Sequence, residues 1–183
     1  MAKGKTMRFS EMDRYLFGEG THYEIYKLMG AHPTTQRGKD GVYFAVWAPH
    51  AESVSVVGDF NKWDPDKNVM KCDNDMGIYQ LFVPKVRERD LYKFCITTYK
   101  GKLLFKADPY ANYAEHRPGT ASCVYDISRF KWGDSLWMKK RQEFNEKKDA
   151  MSIYELHPGS WKKHPLKDGD EDGFYNYREL AHS

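Results

Sequence analysis

Residues 44–64 read FAVWAPHAESVSVVGDFNKWD, and this stretch decides the fold. Its first half continues an alternation that begins at Val42. Val42, Phe44, Val46 and Ala48 fall on one side, Tyr43, Ala45 and Trp47 on the other, and Pro49 closes the run. A period of two places successive side chains on opposite faces of an extended chain, so this is a strand. Residues 53–60 (SVSVVGDF) form a second strand, and Asn61 to Asp64 follow as a turn. Working outward, the same pattern predicts strands over 78–83, 91–99, 103–106 and 121–127, separated by segments rich in Gly, Pro, Asp and Asn. The stretch Tyr99-Lys100-Gly101-Lys102 reads as a hairpin turn. Short strands at close spacing with such turns predict a mainly β protein built on an immunoglobulin-like β-sandwich over residues 41–128.

Helical patterns flank this block. Ser10 is placed to cap a short helix running to Leu16, with Gly18 and Gly20 to stop it. Thr21-His-Tyr-Glu24 has the form of a capping box opening a second helix to Met29, so residues 1–40 are expected as an N-terminal helical segment. Asp134 is expected to cap a helix over 135–149, whose basic end suits the helix dipole, and residues 129–150 then form a linker. Residues 152–156 are expected as one more strand, outside the sandwich, and residues 173–183 as the start of an amphipathic helix. A strand and a helix start without partners predict that 151–183 are the truncated start of a second domain.

Composition narrows the function. The chain has 183 residues, of which 40% are hydrophobic and 30% charged, a globular balance with enough length for a real core. A complete (β/α)8 barrel needs at least roughly 200 residues and is excluded. No apolar run approaches the roughly 18 residues of a membrane span, and the basic N-terminus leads into no apolar signal core. A net charge of +3 with no long block of either sign does not point to a nucleic acid or a membrane. Cys72, Cys95 and Cys123 are odd in number and contain no CxxC pair, which fits a reducing cytoplasm and neither a disulfide framework nor a zinc site. Aromatic residues reach 15%, and they serve either a core or a ligand platform.

The stretch at 44–64, with LYKFCI at 91–96, resembles carbohydrate-binding module family 48, the sandwich that precedes the catalytic barrel in branching and debranching enzymes. KADPYA (106–111), RPGTAS (117–122), WGDSLWMKKR (132–141), SIYELHPGSW (152–161) and GFYNYRELA (173–181) are similar to the bacterial glycogen branching enzymes in particular, with Pro158 where that family commonly has an aliphatic residue. The resemblance implies sandwich, linker helix and first strand of the glycoside hydrolase family 13 barrel. It also implies retaining chemistry, in which two carboxyls about 5 Å apart move an α-1,4-glucan segment to a 6-hydroxyl. Those carboxyls belong to later barrel strands, and no position of this chain matches their motifs. The chain is therefore expected to lack a catalytic residue, to be inactive by itself and at most to bind α-1,4-glucan. The alternative is a free-standing, non-catalytic glycan-binding or targeting module. A debranching relative is disfavoured by the branching-type stretches.

A glucan offers C–H faces and a rim of hydroxyls, so its site needs an exposed ring and a few polar donors. By resemblance Trp63 matches the stacking tryptophan of such modules, and Lys93 a lysine that bonds sugar hydroxyls. Asn61 stands beside them in the turn. From the residues alone, Trp63 reads equally well as a turn aromatic on the sheet edge, Lys93 as a solvated strand lysine and Asn61 as a turn former. A second tryptophan, carried by the glycan-sensing modules after the lysine strand, is missing from KGKLLFKADP, where Phe105 is an approximate stand-in. Trp47 is expected in the core, and Trp132, Trp137 and Trp161 as a seal against a barrel. Asp168, Asp170, Asp172, Gly173 and Glu179 fit the EF-hand formula, yet Pro165 forbids the entering helix, so an acidic loop is expected instead of a calcium site. His157 and His164 lack a ligand spacing, and Asp59 and Asp108 read as turn residues. No metal and no cofactor are implied.

Overall fold

The computed structural model describes residues 9–144, 148–166, 169 and 172–182. They fall into two compact units, Met1–Lys131 and Trp132–Ser183.

The first unit is a two-sheet sandwich. One sheet has the order β1-β2-β5-β4 and is antiparallel throughout, with β1 at Gly30–Gln36, β2 at Lys39–Trp47, β4 at Lys71–Asp73 and β5 at Ile78–Pro84. The other runs β3-β6-β9-β8, with β3 at Ser53–Gly58, β6 at Leu91–Thr97, β8 at Tyr113–Ala114 and β9 at Ser122–Cys123. In that sheet β7 (Leu103–Lys106) pairs with the C-terminal half of β6, and β9 pairs with Leu91 and Tyr92 at its start. The core lies between the sheets. Phe44 packs on Phe60 and edge-on to Tyr92, with Val42, Val54, Val56, Phe94 and Val124 around them, all but Phe60 at most 1% exposed. Burying such a set is the main favourable term of the fold, at about 25 cal/mol per Å² of apolar surface.

The outer face of the β1-β2-β5-β4 sheet is also partly covered. Helix α1 (Glu11–Gly18) is opened by Ser10, whose side chain accepts from the Asp13 backbone while the Asp13 carboxylate accepts from the Ser10 backbone. This places Phe9 and Phe17 over Tyr43, Ala45, Ile78, Met29 and Met76 as a second apolar cluster.

The sandwich therefore begins earlier than residue 41. The expected helical segment contains β1, paired residue for residue with β2 from Gly30↔Ala45 to Gln36↔Lys39. The hairpin turn is Arg37-Gly38, with φ of 51° and 75°, the two left-handed residues that suit a tight turn between twisted strands. Pro33 obscures the strand in the sequence, but β1 is an edge strand and tolerates it. The second expected helix reduces to a single 3-10 turn at Ile25–Lys27. The expected strand at 121–127 shortens to β9, because only Leu91 and Tyr92 of β6 remain to pair with it.

In the second unit, α2 spans Ser135–Glu143, shorter than the 135–149 expected. Two further short helices are α3 (Pro158–Trp161) and α4 (Tyr177–Ala181), the latter capped by Asn176 and Glu179. Residues 152–156 form no strand, since no other strand lies alongside to complete their ladder among the described residues. Among the described residues, no helix is long and apolar enough to cross a membrane.

Candidate glycan-binding site

The turn after β3 is built by three side chains. Gly58 ends the strand where the backbone passes close to β6, and a Cβ there would collide with the Leu91 carbonyl and the Phe60 ring. Asn61 is 7% exposed, and its amide is committed within the turn. Its Oδ1 accepts from Gly58 N at 2.9 Å, and its Nδ2 donates to Val56 O at 2.9 Å and Asn68 Oδ1 at 2.8 Å. Asn61 is thus the keystone of the turn and does not face solvent. Lys62 and Trp63 follow with φ of 60° and 59°, two consecutive left-handed residues without a glycine. Such a backbone costs on the order of 1–3 kcal/mol per residue and persists where its surroundings enforce it.

What it achieves is the placement of Trp63. The indole Nε1 donates to Asp59 Oδ1 at 3.2 Å, while Asp59 Oδ2 accepts from Leu91 N at 2.9 Å. One carboxylate thereby ties the half-buried ring to the first residue of β6. Lys93 lies two residues further along the same face, about 7 Å on. It alternates with the core residues Tyr92 and Phe94, so it projects from the outer face, where its Nζ donates to Thr120 Oγ1 at 2.6 Å. Phe105 and Leu103, on β7, pair with Cys95 and Thr97 and so share that face, 47% and 44% exposed.

Lys93 and Phe105 thus share the outer face of the β3-β6-β9-β8 sheet, Trp63 is tied through Asp59 to the start of β6, and Asn61 is committed to the turn. Asp59 and Thr120 were not singled out as site residues in the sequence. Asp59 reads there as a turn former, and Thr120 is separated from Lys93 by a loop no periodicity can place. Trp47 is not in the core: it is 55% exposed, packs edge-on against Phe17 and donates to Met76 O at 3.1 Å. The alternation of β2 is right, but its last outward position is only partly covered, by the Phe17 ring of α1. Trp132, Trp137 and Trp161 are 78%, 60% and 49% exposed. Asp168, Asp170 and Glu171 lie outside the described residues, and no cluster of metal-ligating side chains occurs among the described ones.

Residues 28–111 match carbohydrate-binding module 48, the isoamylase N-terminal domain. Relatives extend the likeness over nearly the whole chain. The 1,4-alpha-glucan branching enzyme GlgB of Butyrivibrio fibrisolvens is 55% identical over 94% of this chain and 27% of its own length. That of Protochlamydia amoebophila is 50% identical over 95% of this chain and 23% of its own. The chain thus spans about a quarter of the length of these relatives and corresponds to their N-terminal part. Among solved structures, apo pullulanase from Klebsiella pneumoniae aligns at 26% identity and a TM-score of 0.44, over 54% of this chain and 11% of that one.

Proposed function

We propose that this chain binds α-1,4-glucan through the outer face of the β3-β6-β9-β8 sheet, as the glycan module of a cytoplasmic glycogen branching enzyme. Trp63 stacks on a sugar ring, Phe105 supplies a second apolar surface, and Lys93 exchanges Thr120 for a sugar hydroxyl. The observation that supports this reading is the chain of bonds from Trp63 through Asp59 to Leu91, which anchors an aromatic ring at the start of the strand that carries Lys93. A preset ring loses little freedom on binding, which is how a shallow site gains affinity. Likeness to branching enzymes supplies the substrate class. Segment transfer to a 6-hydroxyl then belongs to the full-length enzyme, and the chain by itself carries out no transfer.

The test is migration of the chain through native gels with and without glycogen. Glycogen retards the parent chain. Trp63→Ala weakens the apparent affinity about tenfold, the value of one aromatic contact, and Lys93→Ala weakens it less. Equal retardation of parent and Trp63→Ala would remove the platform from the site.

A further inference from the structure

The opposite side of the sandwich holds a groove of about 970 Å³ on the outer face of the β1-β2-β5-β4 sheet, within the range of small-ligand sites. Its floor is aromatic. Phe82 on β5 reaches across to β2 at Gly41, where a Cβ would stand 2.9 Å from its Cζ. The ring can rest there only because residue 41 has no side chain, and it remains half-buried, open to the groove. Beside it, Tyr43 Oη donates to Gln80 Oε1 at 2.7 Å. That bond fixes the Gln80 amide with its NH₂ as a donor pair turned away from Tyr43. Lys71 lies directly across from Gln80 in the β4–β5 ladder, and Arg37 stands at the β1–β2 turn. Arg14 is paired with Asp73 at 2.5 Å.

The chemistry of this lining favours a neutral polyol. Basic and acidic groups are both present and partly paired, so no single-sign field selects an anion. An apolar ring face with a fixed amide and an exposed ammonium beside it is instead what a sugar requires: C–H bonds for the ring, hydroxyls for the donors.

We propose that this groove is a second α-glucan subsite, with Phe82 as its stacking ring and Gln80 and Lys71 as hydroxyl donors. It rests on the reading that the chain binds α-glucan, and adds that it does so on both outer faces. Two subsites on one rigid module raise the effective concentration of a long glucan without strengthening either contact.

The experiment is a titration of the full chain with maltoheptaose, followed by ¹⁵N NMR at the Gln80 side-chain amide and the Trp63 indole. The expected result is that both resonances move, and that Trp63→Ala leaves the Gln80 midpoint unchanged. Phe82→Leu keeps apolar bulk without a flat ring and raises that midpoint about tenfold. Lys71→Ala, on an exposed strand position, raises it about threefold without touching the core. A Gln80 amide that stays still while the Trp63 indole moves overturns the second subsite and leaves the first. A moving Gln80 with a still Trp63 supports this groove and overturns the Trp63 platform. If neither moves, both proposals fall. Cellohexaose, a β-linked glucan, is expected to move Gln80 less, and an equal response would overturn the α-glucan assignment.

Discussion

In the sandwich the large side chains close on one another: Phe44, Tyr92 and Phe94 are at most 1% exposed. In the unit Trp132–Ser183, Trp132, Leu136, Ile153 and Tyr177 are 78–84% exposed, and the described residues bury no side chain at all. Both regions are rich in aromatic and aliphatic residues. The difference is that each strand of the sandwich finds a facing sheet, while among the described residues α2 buries no side chain and the segment at 152–156 meets only the edge of Trp161, through Tyr154. Hydrophobic residues state a demand for a partner, and only topology meets it. A helix of this length is marginal in water without tertiary packing.

The sharpest way to break this contrast is paired truncation. Phe44→Ala is expected to destabilise by about 4 kcal/mol in urea unfolding, through lost transfer energy and the cavity left behind. A loss near zero would mean that the inter-sheet core is not where stability resides.

The next effect lies at the edge of the same core. Tyr92 Oη donates to Asp108 Oδ2 at 2.6 Å, and Tyr110 N donates to Oδ1 at 2.8 Å. Tyr92→Phe is expected to cost about 2 kcal/mol, as for a hydrogen bond to a carboxylate. Burial raises the Asp108 carboxyl above its ordinary value of 3.8, outweighing the opposing bonds from Tyr92 and Tyr110. The folded state then holds this proton more tightly than the unfolded chain does. Its contribution is greatest below pH 3.8 and falls as pH rises through the raised folded value. In Asp108→Asn that fall is absent, so the variant gains on the parent as pH increases. Parallel urea midpoints across an acid pH series would remove Asp108 from the account.

Smaller still, Ser10→Ala removes the cap of α1 and is expected to cost about 1 kcal/mol, read by thermal melting. The smallest change sharpens the comparison from the other side. Trp137→Ala, though it deletes the larger ring, is expected to shift unfolding by less than about 0.5 kcal/mol. A loss as large as that of Phe44→Ala would show that the second unit has a core after all.

Most of the sandwich was legible in the sequence because a period of two survives wherever one face is buried. Five strands fall where alternation puts them. The strand at Gly30–Gln36 was hidden by Pro33 and by a turn at Arg37-Gly38 whose left-handed geometry residue types barely signal. The strand expected at 152–156 failed for the converse reason: its pattern is right, but strands exist only in pairs. At the candidate site, Trp63 and Lys93 are proposed by resemblance, while the bonds that Asp59 and Thr120 make to their surroundings leave no trace in the sequence. Their partners are 32 and 27 residues away in sequence, a separation local pattern does not reach. Asn61 could be read as ligand or as turn former, and its three hydrogen bonds assign it to the turn.

The position of β6 has a consequence for how slowly this surface can change. One edge of the strand is bonded along β3, and the other is divided between β9 and β7. With both edges engaged on either side of Lys93, its amides are expected to be among the slowest of the module to exchange with deuterium. Lys93 sits in the middle of that strand. Sequence variation is therefore expected in the loops that carry Trp63 and Thr120 before it is expected in the strand they are bonded to.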